Sequence, residues 1–256
     1  MNTRIWIVPR NDLEAVEIIR LLEQHGELLV ISRQAWGASW ENLEPEVVSG
    51  VEDLLAQHPD AEVVGVELAG TPPWGGRNID HHQYTDGDRS SEKSSIEQVA
   101  EILGHELNRY ERLVAENDKG WIPALLAAGA SQGEVDTIRL ADRCAQGVTP
   151  DDEAQAVRDI AGAEWRGRKV FIRCPRGVTS ALTDRLYGQF DEALTAAPDK
   201  WIYYGPRARD IHVHVHAGGL GHARDWAGGR RESGYAGFIA PTPEAKKVIE
   251  TFFWWA

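Results

Sequence analysis

Asp80, His81 and His82 follow one another directly, at the end of a short apolar approach and just before a polar loop. A carboxylate beside two imidazoles supplies hard oxygen and borderline nitrogen donors, the set that manganese, iron or zinc accepts. Other acids occupy positions of the same kind: Asp12 and Glu14 follow the first apolar run, Glu67 closes a valine-rich one, and Asp118 precedes Gly120 after a helical stretch. Four acidic positions and a histidine pair, each at or near the end of an element, can converge on one site. Two divalent ions about 3.5–4 Å apart there would activate a water and neutralise a phosphoryl transition state. Each acid alone has a plainer reading. Asp12 and Glu14 suit any helix N-terminus, Glu67 suits a solvated strand end, and Asp118 suits a turn.

The elements that must position these residues follow from the apolar spacing. Residues 4–8 (RIWIV) form a short apolar run ended by Pro9, and residues 12–25 place Leu13, Val16, Ile19 and Leu22 at helical spacing before Gly26. Residues 27–32 predict a second strand, 48–57 a helix, and 61–68 a third strand followed by Gly70-Thr71-Pro72-Pro73. This alternation predicts a parallel sheet with helices on its faces, and such sheets bind ligands at the carboxyl ends of their strands, here after Val8, Leu68 and Ile79. Residues 94–110 predict one helix capped by Ser94 or Ser95, and 123–165 are mostly helical with a cap at Thr149-Pro150-Asp151-Asp152.

From residue 169 the pattern changes. Residues 169–173, 200–204, 211–217 and 237–240 predict strands, and 179–196 and 242–253 predict helices. The fold class is therefore α/β: a parallel-sheet domain over 1–165, whose part from about 123 is a helical linker, and a smaller α+β domain over 166–256, with a cleft between them. On the predicted strand 211–217, His212, His214 and His216 share one face. That face suits a phosphate pocket, solvent or a zinc ion.

Charge narrows the partners. The chain of 256 residues carries 27 Lys and Arg against 40 Asp and Glu, a net charge of −13. Residues 1–150 hold 12 basic and 26 acidic side chains, net −14, whereas residues 151–256 are nearly neutral. Such acidity disfavours tracking along a long nucleic acid. Within residues 200–231, however, 6 basic and 2 acidic residues leave a local +4 that suits a short phosphate ligand. Two cysteines without a CxxC spacing exclude a disulfide scaffold, and no apolar run approaches the length of a membrane span. A cytoplasmic protein without membrane partners is expected, with a homo-oligomer left open.

Taken together, these motifs resemble those of the DHH phosphoesterase family, which includes RecJ-type exonucleases, oligonucleotide and cyclic-dinucleotide phosphodiesterases, and manganese-dependent inorganic pyrophosphatases. The resemblance spans nearly the whole chain. The family's first motif, His-x-x-x-Asp-x-Asp-Ala, is matched by Val8-Pro9-Arg10-Asn11-Asp12-Leu13-Glu14-Ala15. Its second, an Asp ending a valine-rich strand, falls on Glu67. The third is Asp80-His81-His82, followed by the Ser94-Ser95-Ile96-Glu97 helix start, and the fourth is matched by Asp118-Lys119-Gly120-Trp121. Residues 218–228 (GGLGHARDWAG) are similar to the glycine-rich signature of the DHH-associated C-terminal domain, with one residue inserted.

The resemblance implies a DHH-type first domain in which Asp12, Glu14, Glu67, His81 and Asp118 are metal ligands. It implies one or two divalent ions, above all Mn2+. His82 would contact substrate phosphate and Asp80 would orient an imidazole. Gly218, Gly219, Gly221 and His222 would hold the substrate's far phosphate, with Arg207, Arg209 and Arg224 adding contacts. The expected function is metal-dependent hydrolysis of a dinucleotide, short oligonucleotide or cyclic dinucleotide by an activated water. The chain departs from the family in lacking the first-motif histidine and in carrying Glu at positions 14 and 67. A nucleotide-binding regulatory module with weakened catalysis and an inorganic pyrophosphatase are the alternatives.

Overall fold

A computed structural model describes residues 3–35, 37–81, 92–219, 224–228 and 234–255. The chain divides into two compact units, 1–147 and 148–256. It is α/β, with a parallel sheet in the first unit and a mixed sheet in the second.

The first unit alternates β1 (Arg4–Pro9), α1 (Leu13–Gln24), β2 (Leu28–Ser32), α2 (Pro45–Gln57), β3 (Glu62–Val66) and β4 (Arg77–Ile79). The strands are all parallel, in the order β2-β1-β3-β4. Period-2 alternation sorts the apolar residues of the central strands to opposite faces. Trp6, Val8, Val64 and Val66 join one core with α1 and the helices that follow, while Ile5, Ile7 and Val63 pack against α2 and Trp40 on the other face.

The predicted helix over 94–110 is two helices, α3 (Ser95–Leu103) and α4 (Arg109–Ala127). Gly104 ends α3 in the left-handed conformation, φ 66°, and Asn108 starts α4 with a capping box to Glu111. α4 itself kinks at Gly120 and Trp121. Pro123 has no N–H to donate, and its ring conflicts with the carbonyl four residues earlier, so the helix cannot run straight through. α5 (Gln132–Ala145) completes the unit.

The second unit begins earlier than the boundary near 165 read from the sequence. Its α6 (Pro150–Ala161), capped by Thr149, places Ala156 in a core with Val170, Ile172, Ala181 and Leu182. This packing gives α6 to the second unit. The remaining elements are β5 (Glu164–Arg166), β6 (Lys169–Arg173), α7 (Ser180–Leu186), β7 (Glu192–Ala196), β8 (Lys200–Tyr204), α8 (Ala208–Ala217), β9 (Arg224–Gly228), β10 (Tyr235–Ile239) and α9 (Pro243–Trp255). The sheet runs β5-β6-β7-β8-β10-β9, parallel only between β6 and β7.

Two predictions fail in this unit. The helix expected over 179–196 stops at Leu186, and Glu192–Ala196 is a strand between β6 and β8, where burial on both faces overrides the helical preference of Ala and Leu. The strand expected over 211–217 is α8. Ala208, Ile211 and Val215, at helical spacing, enter the core with Phe238 and Phe253, while Val213 is 62% exposed. No helix among the described residues is long and apolar enough to cross a membrane.

Candidate metal centre

Three strand ends and two helices deliver the site of the first unit. Asp12 follows β1 and caps α1, its Oδ1 accepting the Ala15 N–H at 2.8 Å. Glu14 lies in the first turn of α1 and is buried. Its Oε1 accepts the Ile96 N–H at 3.0 Å, so the orphan donors at the start of α3 serve a carboxylate from another element.

Glu67 leaves β3 with φ 51°, a left-handed conformation rare for a residue with a Cβ. Such strain costs of order 1–3 kcal/mol and persists only where neighbours enforce it. Here the Glu67 N–H donates to the Ile79 carbonyl at 2.7 Å, and its carboxylate accepts the Ser95 hydroxyl at 2.9 Å. The parallel pairing of Val66 with Ile79 brings the end of β4, and hence His81, beside Glu67. Asp118 arrives on α4 just before its kink. The neighbouring Lys119 ties that turn to α3 through Glu97 at 3.2 Å and to Glu116 at 2.7 Å.

One ligand atom from each of Glu14, Glu67, His81 and Asp118 falls within 4.8 Å of the others. His81 Nε2 lies 2.5 Å from Asp118 Oδ2, 3.3 Å from Glu67 Oε1 and 4.0 Å from Glu14 Oε2. Of the residues expected to bind metal, these four come together. Asp12 is outside that group, although the charges of Asp118 and Glu67 reach its carboxyl.

Burial, then Asp118 and Glu67, push the carboxyl of Glu14 well above its usual range. The same three influences raise Asp12 to about 8. For His81, burial works against the charged ring, yet hydrogen bonding and charge from Asp118 and Glu67 outweigh it and lift the ring to about 10. Crowded like charges in a poorly solvated site hold protons unless a cation replaces them.

The donor set fits a divalent ion. Glu14 Oε2 is shut off from solvent without a well-formed hydrogen bond among the described residues, and the equally buried Asp118 Oδ2 faces the His81 ring. A cation is what three converging carboxylates and one imidazole lack.

The other expected site residues are distributed as follows. Asp80 is half-buried beside His81. His82, Gly221 and His222 lie outside the described residues, and of Arg224 only the backbone is described, as the first residue of β9. Gly218 caps α8, and Gly219 follows with φ 57°, a conformation that favours glycine. Arg209 and Gly218 line an open pocket of about 610 Å3 with Asp210, Val213, His214 and Val248. Arg207 is committed elsewhere. Its guanidinium pairs with Glu192 and donates to the carbonyls of Phe252 at 2.6 Å and Phe253 at 3.1 Å, closing the end of α9.

Sequence reasoning missed the residues that brace the site. Arg139 donates to Asn117 and Asp142, both at 2.7 Å, and Asp142 Oδ1 accepts the Leu13 N–H at 3.3 Å. This buried network ties α4 and α5 to the start of α1. Only the charged residues on the buried face of α5 hinted at it. The contacts of Ser95 and Ile96 had a clearer signal in the Ser-Ser-Ile-Glu helix start.

No family model and no curated protein matches the sequence. Among solved structures, the chain is similar to a pGpG-specific phosphodiesterase, PggH, from Vibrio cholerae, at 12% identity and TM-score 0.44, over 98% of this chain and 98% of that one. It is also similar to exonuclease RecJ bound to manganese, at 14% identity and TM-score 0.44, over 98% of this chain and 90% of that one.

Proposed function

We propose that the chain is a DHH-type, metal-dependent phosphohydrolase that cleaves a short phosphodiester: a dinucleotide, short oligonucleotide or cyclic dinucleotide. The observation that carries this reading is the convergence of Glu14, Glu67, His81 and Asp118 at the carboxyl ends of a parallel sheet. Mn2+ is the ion we assign to them, because an oxygen-rich set with one imidazole suits a harder cation than zinc. When bound, the ion supplies an acidified water and offsets charge on the phosphoryl oxygens.

The chain's own residues do the rest. The Ile96 N–H and the Ser95 hydroxyl hold Glu14 and Glu67 in place, so little reorganisation is needed when charge develops. His81 is lodged among Asp118, Glu67 and Glu14. His82, next in the chain, is assigned to the scissile phosphate by the motif it belongs to. In the second unit, Arg209 and Gly218 share a pocket with Asp210 and His214, which supports a binding role for them.

One observation favours a second reading, a binding module with weak catalysis. At the position of the first-motif histidine stands Val8, fully buried in the apolar core, so the four-residue group contains a single imidazole. Hydrolysis of pApA by the full chain separates the two. The expected result is Mn2+-dependent cleavage that falls by at least about 100-fold in Asp118→Ala and His81→Ala. Binding of pApA without cleavage under Mn2+, Mg2+, Co2+ and Zn2+ would establish the module instead.

A further inference from the structure

Asp118 stands on the last turn of α4 before its kink, and both of its neighbours in the chain are tied to other helices. Lys119 reaches Glu97 of α3, whose Oε2 also accepts the Ser94 N–H at 2.8 Å. On the other side, Asn117 Oδ1 accepts from Nη1 of Arg139, on α5, at 2.7 Å. These ties fall where the helix itself gives least support. Gly120 and Trp121 depart from helical geometry, and Pro123 has no N–H for the Lys119 carbonyl. The backbone ladder that would fix the Asp118 turn from its C-terminal side is broken, so side chains fix it instead.

The same guanidinium reaches the other end of the metal group. Arg139 Nη1 also donates to Asp142 Oδ2 at 2.7 Å, and Asp142 Oδ1 accepts the Leu13 N–H at 3.3 Å. Leu13 is the first residue of α1 and directly precedes Glu14. One nitrogen of α5 therefore links the residue before Asp118 to the residue before Glu14, and those two carboxylates have ligand atoms within 4.8 Å of one another. Arg139 and Asp142 are buried, at 7% and 5% exposure. A buried ion pair is a weak source of stability, because apolar side chains of similar volume often hold a fold as well. What it adds is direction, since a planar guanidinium donates only along fixed lines.

We propose, on the metal-dependent reading of this site, that Arg139 is a positioning residue: through Asn117 and Asp142 it sets Asp118 against Glu14 at the separation that a divalent ion needs. α5 supplies none of the four ligand residues, yet it fixes two of them.

The full chain, freed of metal by chelation, is titrated calorimetrically with Mn2+ alone, and its stability without metal is measured by chemical denaturation. No substrate is needed. Asn117→Ala cuts the tie to α4 while leaving the Arg139–Asp142 pair, and should weaken Mn2+ binding by about 10-fold or more, as loss of an outer partner does. Arg139→Lys keeps a cation for Asp142 but is too short to bond Asn117 as well, so it should lose affinity too. Ile138→Val loosens the apolar side of the same helix and should lower stability with no loss of affinity. The electron paramagnetic resonance spectrum of bound Mn2+ should change in the first two variants and not in the third. If Arg139→Lys fails to fold by circular dichroism, Asn117→Ala decides. Parent-like affinity and spectrum in Asn117→Ala, full affinity in Arg139→Lys, or an equal loss in Ile138→Val would overturn the positioning role while the metal reading stands. A parent that binds no Mn2+ would overturn both.

Discussion

At the scale of single residues, Glu14 shows how a proposed ligand differs from a helix-start acid. A solvated acid in a first turn gains from the helix dipole, whereas Glu14 is buried beside Asp118 and Glu67 and its carboxyl is raised well above the usual range. A carboxyl raised on folding contributes stability that is present below its unfolded value of 4.5 and lost as pH rises toward the folded one. Glu14→Gln keeps an oxygen for the Ile96 N–H and has no proton to lose. The metal-free variant is therefore expected to lack that decline, gaining on the parent as pH rises above about 4.5. Mn2+ at 100 times its Kd should raise the parent's melting temperature by roughly 5–10 °C, and the variant should lose most of that rise. Thermal melts across pH, with and without Mn2+, check both outcomes. An equal Mn2+ shift in the two proteins would remove Glu14 from the ligand set. The two cysteines differ in exposure: Cys144 is exposed, and the buried Cys174 thiol is pushed up to about 11, mainly by burial, which suits a packing role.

At the scale of elements, the strand ends place the site, and β3 is set against its neighbours with little tolerance. A Cβ built on Gly65 would lie 2.2 Å from Trp40 Cζ2 and 3.0 Å from Asn78 Oδ1. Trp40 is buried and cannot swing aside without opening the core it shares with Ile5, Ile7 and Val51. Gly65→Ala should cost about 1–3 kcal/mol by chemical denaturation. Because Glu67 follows two residues later, it should also weaken Mn2+ binding, measurable by calorimetry. Full stability with unchanged metal affinity would show that β3 shifts freely. Element reading from sequence worked where local signals agreed: the valine-rich β3, the Thr149 cap and the Ser-Ser start of α3. It failed at Glu192–Ala196 and at α8, where partners outside the segment decide between strand and helix.

At the scale of the whole molecule, the net charge of −13 is unevenly divided, and its excess belongs to residues 1–150, whose acids include the three carboxylates of the metal group. A short phosphodiester, the substrate proposed above, has few phosphates to neutralise. Affinity for pApA is thus expected to fall by less than about tenfold between roughly 50 and 200 mM salt, since each neutralised phosphate contributes about 0.7 to the logarithmic slope. Long single-stranded DNA should compete no better than a short oligonucleotide. Fluorescence anisotropy of a labelled dinucleotide across salt, with both competitors, measures this. A loss of about 10³-fold or more would indicate extended backbone tracking.

The sequence by itself determined the alternation of the first unit and the acids at its strand ends, because helix and strand periods, caps and turns are local and leave local traces. It also marked Asp80-His81-His82, since consecutive ionisable residues after an apolar strand have few packing reasons to exist. Only the tertiary structure decided which acids meet. The parallel register of β3 and β4, the left-handed turn at Glu67 and the kink of α4 bring Glu14, Glu67, His81 and Asp118 together, and they leave Asp12 as a cap. The same holds for His212 and His216. Their alternating sequence suits a strand, and burial of Ile211 and Val215 against Phe238 and Phe253 makes it a helix. Which side chains share a face follows from that packing, which no window along the chain contains.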